Sequence, residues 1–296
     1  MRKVVWVVML LIAGFLGWYL FIKPYDYLIT FKAKAIPGTI NQSVKLWSKT
    51  LDKSQIVATG DLCRLTQNVA FNDSLFSFDW KIVPLTDSTS KVKVYIKDEA
   101  HSLQNKLQIP FMSNNFKKRS LNTVLGFAKD LQENIKSFKV TFNGTEKLDP
   151  SFCVYVPVKT SQFGKARGMM QNYAMLMDFV AGHNLTPDGQ PFVEITDWNM
   201  KTDSIDFNFC FPIVKQDSLP ESKILQYKQF DGFEQALKAT YNGNYITSDR
   251  AWYALMDYAA VHDIKIANTP LEIFYNNPNM GGDDLQWKAE IYMPIK

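Results

Sequence analysis

Residues 174–185 read AMLMDFVAGHNL and residues 253–264 read YALMDYAAVHDI. Leu176, Met177, Asp178, Phe179, Ala181 and His183 answer to Leu255, Met256, Asp257, Tyr258, Ala260 and His262 at identical spacing. Such self-similarity decides architecture before any propensity does, because each copy is one small unit that cannot bury its apolar side alone. Each copy leads through a proline into a strand bearing a glutamate, Pro191 to Glu194-Ile195 and Pro270 to Glu272-Ile273. Each closes on an alternating strand and Pro-Ile, DFNFCFPI at 206–213 and KAEIYMPI at 288–295. Opening strands are read at Ser151 to Val158 and Lys223 to Phe230, so the repeats run over 151–213 and 223–295 as strand, helix, hairpin. A pseudo-twofold pair of such units puts helices on one sheet face and leaves the other faces to form a groove between repeats, a seam that suits a small ligand.

Side chains alternate along a strand, so Trp287, Ala289, Ile291 and Met293 share the face that meets a helix. Phe207, Phe209 and Phe211 do the same in the first repeat. Asp206, Asn208 and Cys210, with Lys288, Glu290 and Tyr292, are then assigned to the groove, where Asn208 and Glu290 are equivalent. A carboxylate walled by aromatics loses solvation and either holds its proton or takes a cation. Glu290 is one candidate contact, with Trp252, Tyr155, Tyr227 and Tyr275 as walls. His183 and His262 fall at the ends of two equivalent helices, where an imidazole serves a final carbonyl and the helix dipole rather than catalysis.

Outward from the repeats, Val4 to Ile22 is nineteen residues without a charge, close to the ~20 that a helix needs to cross ~30 Å of hydrocarbon. Residues 1–24 are read as a retained transmembrane anchor, since Trp18-Tyr19-Leu20-Phe21 stands where a small-residue cleavage site would be. Arg2 and Lys3 before the span, against Lys23 and Asp26 after it, put the N-terminus in the cytoplasm and the rest outside. A domain over 25–143 follows. Its strand Tyr27 to Lys34 leads into a helix from Pro37 to Ser48, then strands at Ile56–Asn68, Leu75–Val83, Lys91–Lys97 and Ser102–Ile109, with a turn at Asn72-Asp73-Ser74. Ser113 caps a long helix with a stripe of Leu121, Val124, Leu125, Ala128, Leu131, Ile135 and Phe138. Phe76, Phe78, Trp80 and Phe127 are read as core.

The 296 residues carry a formal charge of +4 from scattered basic residues, which argues against nucleic acid. Three cysteines and three histidines at wide separations build neither a disulfide framework nor a metal cluster, and no nucleotide, metalloprotease or serine-hydrolase motif is present. No cofactor and no protein partner is indicated.

Residues 241–252 (YNGNYITSDRAW), Pro270 to Pro278 (PLEIFYNNP) and Ala289 to Ile295 (AEIYMPI) resemble the GyrI-like effector-binding domain over about 147–296. The resemblance implies a small-molecule pocket with an acidic residue at Glu272, which makes Glu272 the first candidate contact. Some such proteins hydrolyse electrophiles with a pocket glutamate and an aromatic hydroxyl, but Phe274 stands where that family carries tyrosine, with Tyr275 one place later. The stretch KPYDYLITFKAKAIPGTINQSVKLW is similar to the opening of the helix-grip fold of polyketide-cyclase and START-like proteins, over about 25–140. The whole is expected to be α+β: a transmembrane helix, a helix-grip antiparallel sheet, then the duplicated domain. The leading expectation is a membrane-anchored protein that captures an apolar or cationic small molecule. The alternatives are a hydrolase using Glu272 as general base, and a structural or interaction protein with a filled groove.

Overall fold

A computed structural model describes residues 2–57, 61–72 and 74–296, and the chain is α+β, divided into two units between Gln132 and Glu133. In the first unit, α1 (Arg2–Gly17) runs on through a π-helical turn, Trp18–Ile22. Lys3–Ile22 is long and apolar enough to cross a membrane, with a mean hydropathy of 2.3 and no buried residue. There follow β1 (Tyr27–Ala33), α2 (Pro37–Ser48), β2 (Ser54–Val57), β3 (Arg64–Phe71), β4 (Ser74–Thr86), β5 (Thr89–Asp98), α3 (Ser102–Gln108) and α4 (Asn115–Asn134). Pro37 opens α2 in the first turn, where its missing N–H leaves no bond unmade. The strands form one antiparallel sheet in the order β1-β5-β4-β3-β2.

One face of this sheet is apolar by strict alternation: Phe76, Phe78, Trp80 and Ile82 on β4, and Val92, Val94 and Ile96 on β5, are all buried. Phe127 of α4 sets its ring edge-on to Trp80 at 4.9 Å and to Trp47 at 5.5 Å. The Trp80 indole satisfies its one polar atom by donating to Gln67 Oε1 at 3.1 Å. The four aromatics read as core are therefore core.

Several local expectations are corrected. The segment expected as a strand at Ser102–Ile109 is helical over Ser102–Gln108, with Leu103 and Leu107 four apart on one side. Asn114, not Ser113, caps α4, its Oδ1 accepting the Lys117 N–H at 2.9 Å. The buried stripe of α4 is Phe116, Ser120, Val124, Phe127 and Leu131, whereas Leu121 and Leu125 are exposed. Phe138 opens a strand of the second unit. The expected strand Ile56–Asn68 is two strands, and its residues 58–60, like Asp73 of the expected turn, lie outside the described residues.

The second unit contains β6 (Phe138–Leu148), β7 (Ser151–Ser161), α5 (Lys165–Gly182), β8 (Phe192–Asn199), β9 (Ser204–Pro212), β10 (Gln226–Phe230), β11 (Phe233–Gly243), α6 (Arg250–Val261), β12 (Leu271–Phe274) and β13 (Lys288–Pro294). Its eight strands order as β10-β7-β9-β8-β12-β13-β11-β6. The sequence is symmetric about the β8–β12 pair, where Val193 and Glu272 stand opposite each other. The repeats are β7-α5-β8-β9 and β11-α6-β12-β13. The second repeat therefore opens at Phe233, and the segment Lys223 to Phe230 supplies instead β10, an edge strand on the first repeat's β7. Both segments alternate like strands, so periodicity alone could not choose between them. β6 flanks β11 in the same way, and one antiparallel register runs through the crossing from Leu148↔Phe233 to Ser151↔Phe230.

Both repeat helices end alike. His183 and His262 set Nδ1 2.9 Å from the carbonyls of Phe179 and Tyr258. Asn184 and Asp263 then take left-handed φ values of 54° and 53°, and the next N–H groups, of Leu185 and Ile264, return to Val180 and Ala259.

Candidate functional site

The apolar faces of β9 and β13 lie under the helices as expected: Phe207, Phe209, Ala289, Ile291 and Met293 are buried. The opposite face is not an open groove. Cys153, Phe192, Cys210, Phe230, Leu271 and Tyr292 meet there in a closed apolar cluster. β6 and β10 bring Phe230 and its neighbours over that face, which the strand-helix-hairpin unit alone would have left bare.

A cavity of about 400 Å³ opens on the helix side instead, lined from both repeats. Met169 and Tyr173 of α5 and Phe209 of β9 face Tyr245, Phe274 and Trp287 across it, with Gln190, Asn244 and Asn276 as polar points. None of its lining residues is charged. Tyr245 is the best-held member: its ring lies 4.8 Å from Phe274 and 5.7 Å from Trp287. Its hydroxyl donates to the Lys288 carbonyl at 2.7 Å and accepts the Asn276 N–H at 3.2 Å. Burial pushes this phenol up to about 12. The 3₁₀ turn Tyr245–Thr247 that presents it is capped by Asn244, whose Oδ1 accepts from Ile246 at 3.1 Å.

Glu272 is fully buried and does not line this cavity. Its Oε1 pairs with the equally buried Lys165 ammonium and its Oε2 accepts from Ser248 Oγ at 2.8 Å. Lys165 Nζ also donates to Ser248 Oγ at 2.7 Å and lies 4.6 Å from the centre of the Trp252 ring. The carboxylate is thus neutralised from within the chain, and both oxygens are engaged. Beside this cluster Gln162 joins Asp249, Tyr253 and Trp198 in a second buried polar group.

The seven residues singled out from the sequence do not come together. Glu272 and Trp252 belong to the lysine cluster, and only Tyr275 reaches the cavity wall. Glu290 pairs across the ladder with Ile273, so alternation puts it on the face opposite Glu272. There it is bound by Lys288 at 2.7 Å, Lys238 at 3.3 Å and the Tyr275 hydroxyl at 3.0 Å. Burial alone would raise its carboxyl, but these partners outweigh burial and hold it below the usual range. Asn208 donates to Glu194, which is paired with Lys228. Tyr155 and Tyr227 spend their hydroxyls on Gln226 and the Pro220 carbonyl. Lys165 was not singled out from the sequence, and Tyr245, Phe274 and Trp287, though they stand in the quoted motifs and strand, were not assigned to a site. A signal for Lys165 was present: a cation in the first turn of a helix opposes the dipole unless a partner holds it.

No family model matches the chain, and none of the curated proteins does. Among solved structures, the EcmrR C-terminal domain is similar over 54% of this chain and 98% of its own, at 15% identity and a TM-score of 0.44. SAV2435 bound to tetraphenylphosphonium is similar over 53% and 94%, at 10% identity and a TM-score of 0.36. A hydrolase from Listeria innocua is similar over 57% and 98%, at 9% identity and a TM-score of 0.33. Likeness of this degree carries no function, so the functional reading rests on the side chains of the cavity.

Proposed function

We propose that the chain is a membrane-anchored small-molecule-binding protein whose C-terminal unit takes an apolar, uncharged ligand in the cavity between its repeats. Its parts in this reading are the anchor, a helix-grip domain and the duplicated binding domain, with the strand Phe138–Leu148 belonging to the last. The observation that carries the reading is an aromatic-lined cavity of about 400 Å³ without a charged wall, above an acid already matched by an internal ammonium. Apolar walls with a few polar points are what orient and bury a small ligand. A cation would find aromatic faces there, but to reach Glu272 it would have to displace Lys165, and separating a buried ion pair is strongly unfavourable. The hydrolytic alternative meets the same obstacle, since a general base must reach a water and Glu272 is 0% exposed.

The test is a thermal-shift comparison of the full chain in detergent with triphenylphosphine oxide, which is neutral, and tetraphenylphosphonium, a cation of similar bulk. The neutral probe is expected to raise the melting temperature more, and Ile246→Trp at the cavity mouth to reduce that gain. No shift with either probe, or a larger shift with the cation than with the neutral probe, would overturn the reading. Turnover of an electrophile abolished by Glu272→Gln would restore the hydrolase.

A further inference from the structure

We propose that the outer face of α3 and the turn after it, Leu103, Leu107, Phe111 and Met112, rests in the lipid interface beside the point where the N-terminal helix leaves the bilayer. This rests on reading that helix as a membrane anchor and adds a second lipid contact to it. The segment is inside out for a protein surrounded by water. Its four large apolar side chains are 46%, 52%, 86% and 57% exposed, while Asn105 and Lys106 between them are buried. Scattered exposed leucines are ordinary, but a contiguous apolar patch marks a contact surface.

The buried lysine says where that surface lies. The last carbonyls of a helix have no partner within the helix. Lys106 supplies one, donating to the Leu20 carbonyl at 3.3 Å and to the Lys23 carbonyl at 2.6 Å, with Asp26 Oδ1 3.9 Å away. Tyr19 answers by donating its hydroxyl to the Lys106 carbonyl at 3.2 Å. α3 is therefore tied to the last turn of the apolar helix. The 20 residues Lys3–Ile22, at about 1.5 Å per residue, match the ~30 Å hydrocarbon layer, so that last turn sits at the interface. Trp18 and Tyr19 occupy it, as amphipathic rings do at headgroup level. Whatever is bound to this turn shares its depth. Lys118, exposed near the start of α4 six residues after Met112, adds basic charge suited to anionic headgroups.

The experiment is nitroxide accessibility of the full chain in phosphatidylcholine–phosphatidylglycerol vesicles. Cys63→Ser removes the one cysteine that is not buried; labels are then placed singly by Leu107→Cys, Phe111→Cys, Leu11→Cys in the anchor, and Asp87→Cys in the turn at the other end of the β4–β5 ladder. Oxygen collisions are expected to exceed those of a water-soluble nickel chelate at 107 and 111, with a ratio several-fold above that at 87. Water-like ratios at 107 and 111 with a hydrocarbon-like ratio at 11 would overturn the α3 contact and leave the anchor standing. Water-like ratios at all three would remove both. Spin–spin broadening at 111 that vanishes on dilution with unlabelled chain would put a second copy there and overturn lipid as the occupant.

Discussion

Lys165 and Glu272 are separated by 107 residues and meet fully buried, so neither can be removed without stranding the other's charge. Lys165→Met is expected to cost about 3–5 kcal/mol, whereas Lys165→Met with Glu272→Leu should recover most of that loss, because a buried pair is expensive to break and cheap to replace. Guanidinium unfolding of the two variants checks this; equal loss in both would show that the pair contributes nothing through charge. Glu272 was singled out from the strand motif that carries it, as a ligand contact, but its partner was not, since nothing local links a helix-start lysine to a strand 107 residues further on. The phenols of Tyr245 and Tyr275 give a pH dependence. Burial raises each to about 12, with the Glu290 charge adding to the effect on Tyr275. Their folded values lie above the ordinary tyrosine value of about 10, so their contribution is complete below pH 10 and is lost as pH rises towards 12. Stability measured across that window should fall less steeply in Tyr245→Phe than in the parent chain. An unchanged slope would mean that Tyr245 ionises as readily folded as unfolded.

At the scale of the element, the paired helix ends explain why the two twelve-residue stretches look alike. Histidine at the last helical turn meets a carbonyl, Asn184 or Asp263 adopts the left-handed conformation, and Leu185 or Ile264 closes the loop back onto the helix. Only glycine is more comfortable than Asn or Asp in that conformation. Asp263→Gly should hold or slightly raise stability, and Asp263→Val should lower it by about 1–2 kcal/mol, by thermal or chemical unfolding. If Val were neutral, the capping account would fail. In the repeats the two helices, their histidine ends and the helix-facing sides of β9 and β13 were legible, because each is written in short-range spacing. The short α3 was not, since four-residue spacing over seven residues is too brief to separate from an irregular strand, and its exposed side is apolar. The face opposite the helices was misjudged for another reason: what covers it comes from β6, which precedes the repeats, and from β10, whose segment was read as the opening strand of the second repeat.

For the C-terminal unit taken whole, the decisive feature is the crossing at which β6 passes into β7 beside the passage of β10 into β11. The two passages are held in one antiparallel register, and this closes the face that would otherwise be an open groove, leaving the helix side as the place for a cavity. Gly232 sits in the crossing with a φ of 74°, and a Cβ there would lie 2.1 Å from the Leu148 carbonyl oxygen and 2.9 Å from the Asp149 carbonyl carbon. These are backbone atoms, which a rotamer change cannot move. Gly144 has a φ of 96° but open space where its Cβ would be. Alanine at Gly144 should therefore cost only the backbone penalty of about 1–2 kcal/mol, whereas Gly232→Ala should cost more, on the order of 2–4 kcal/mol. It should also reduce amide protection in β6 and β10, the strands that depend on the crossing, ahead of β8 and β12 at the centre of the sheet. Equal losses from the two substitutions, or protection lost uniformly over the sheet, would show that the close approach at the crossing does not set the register that positions the cavity.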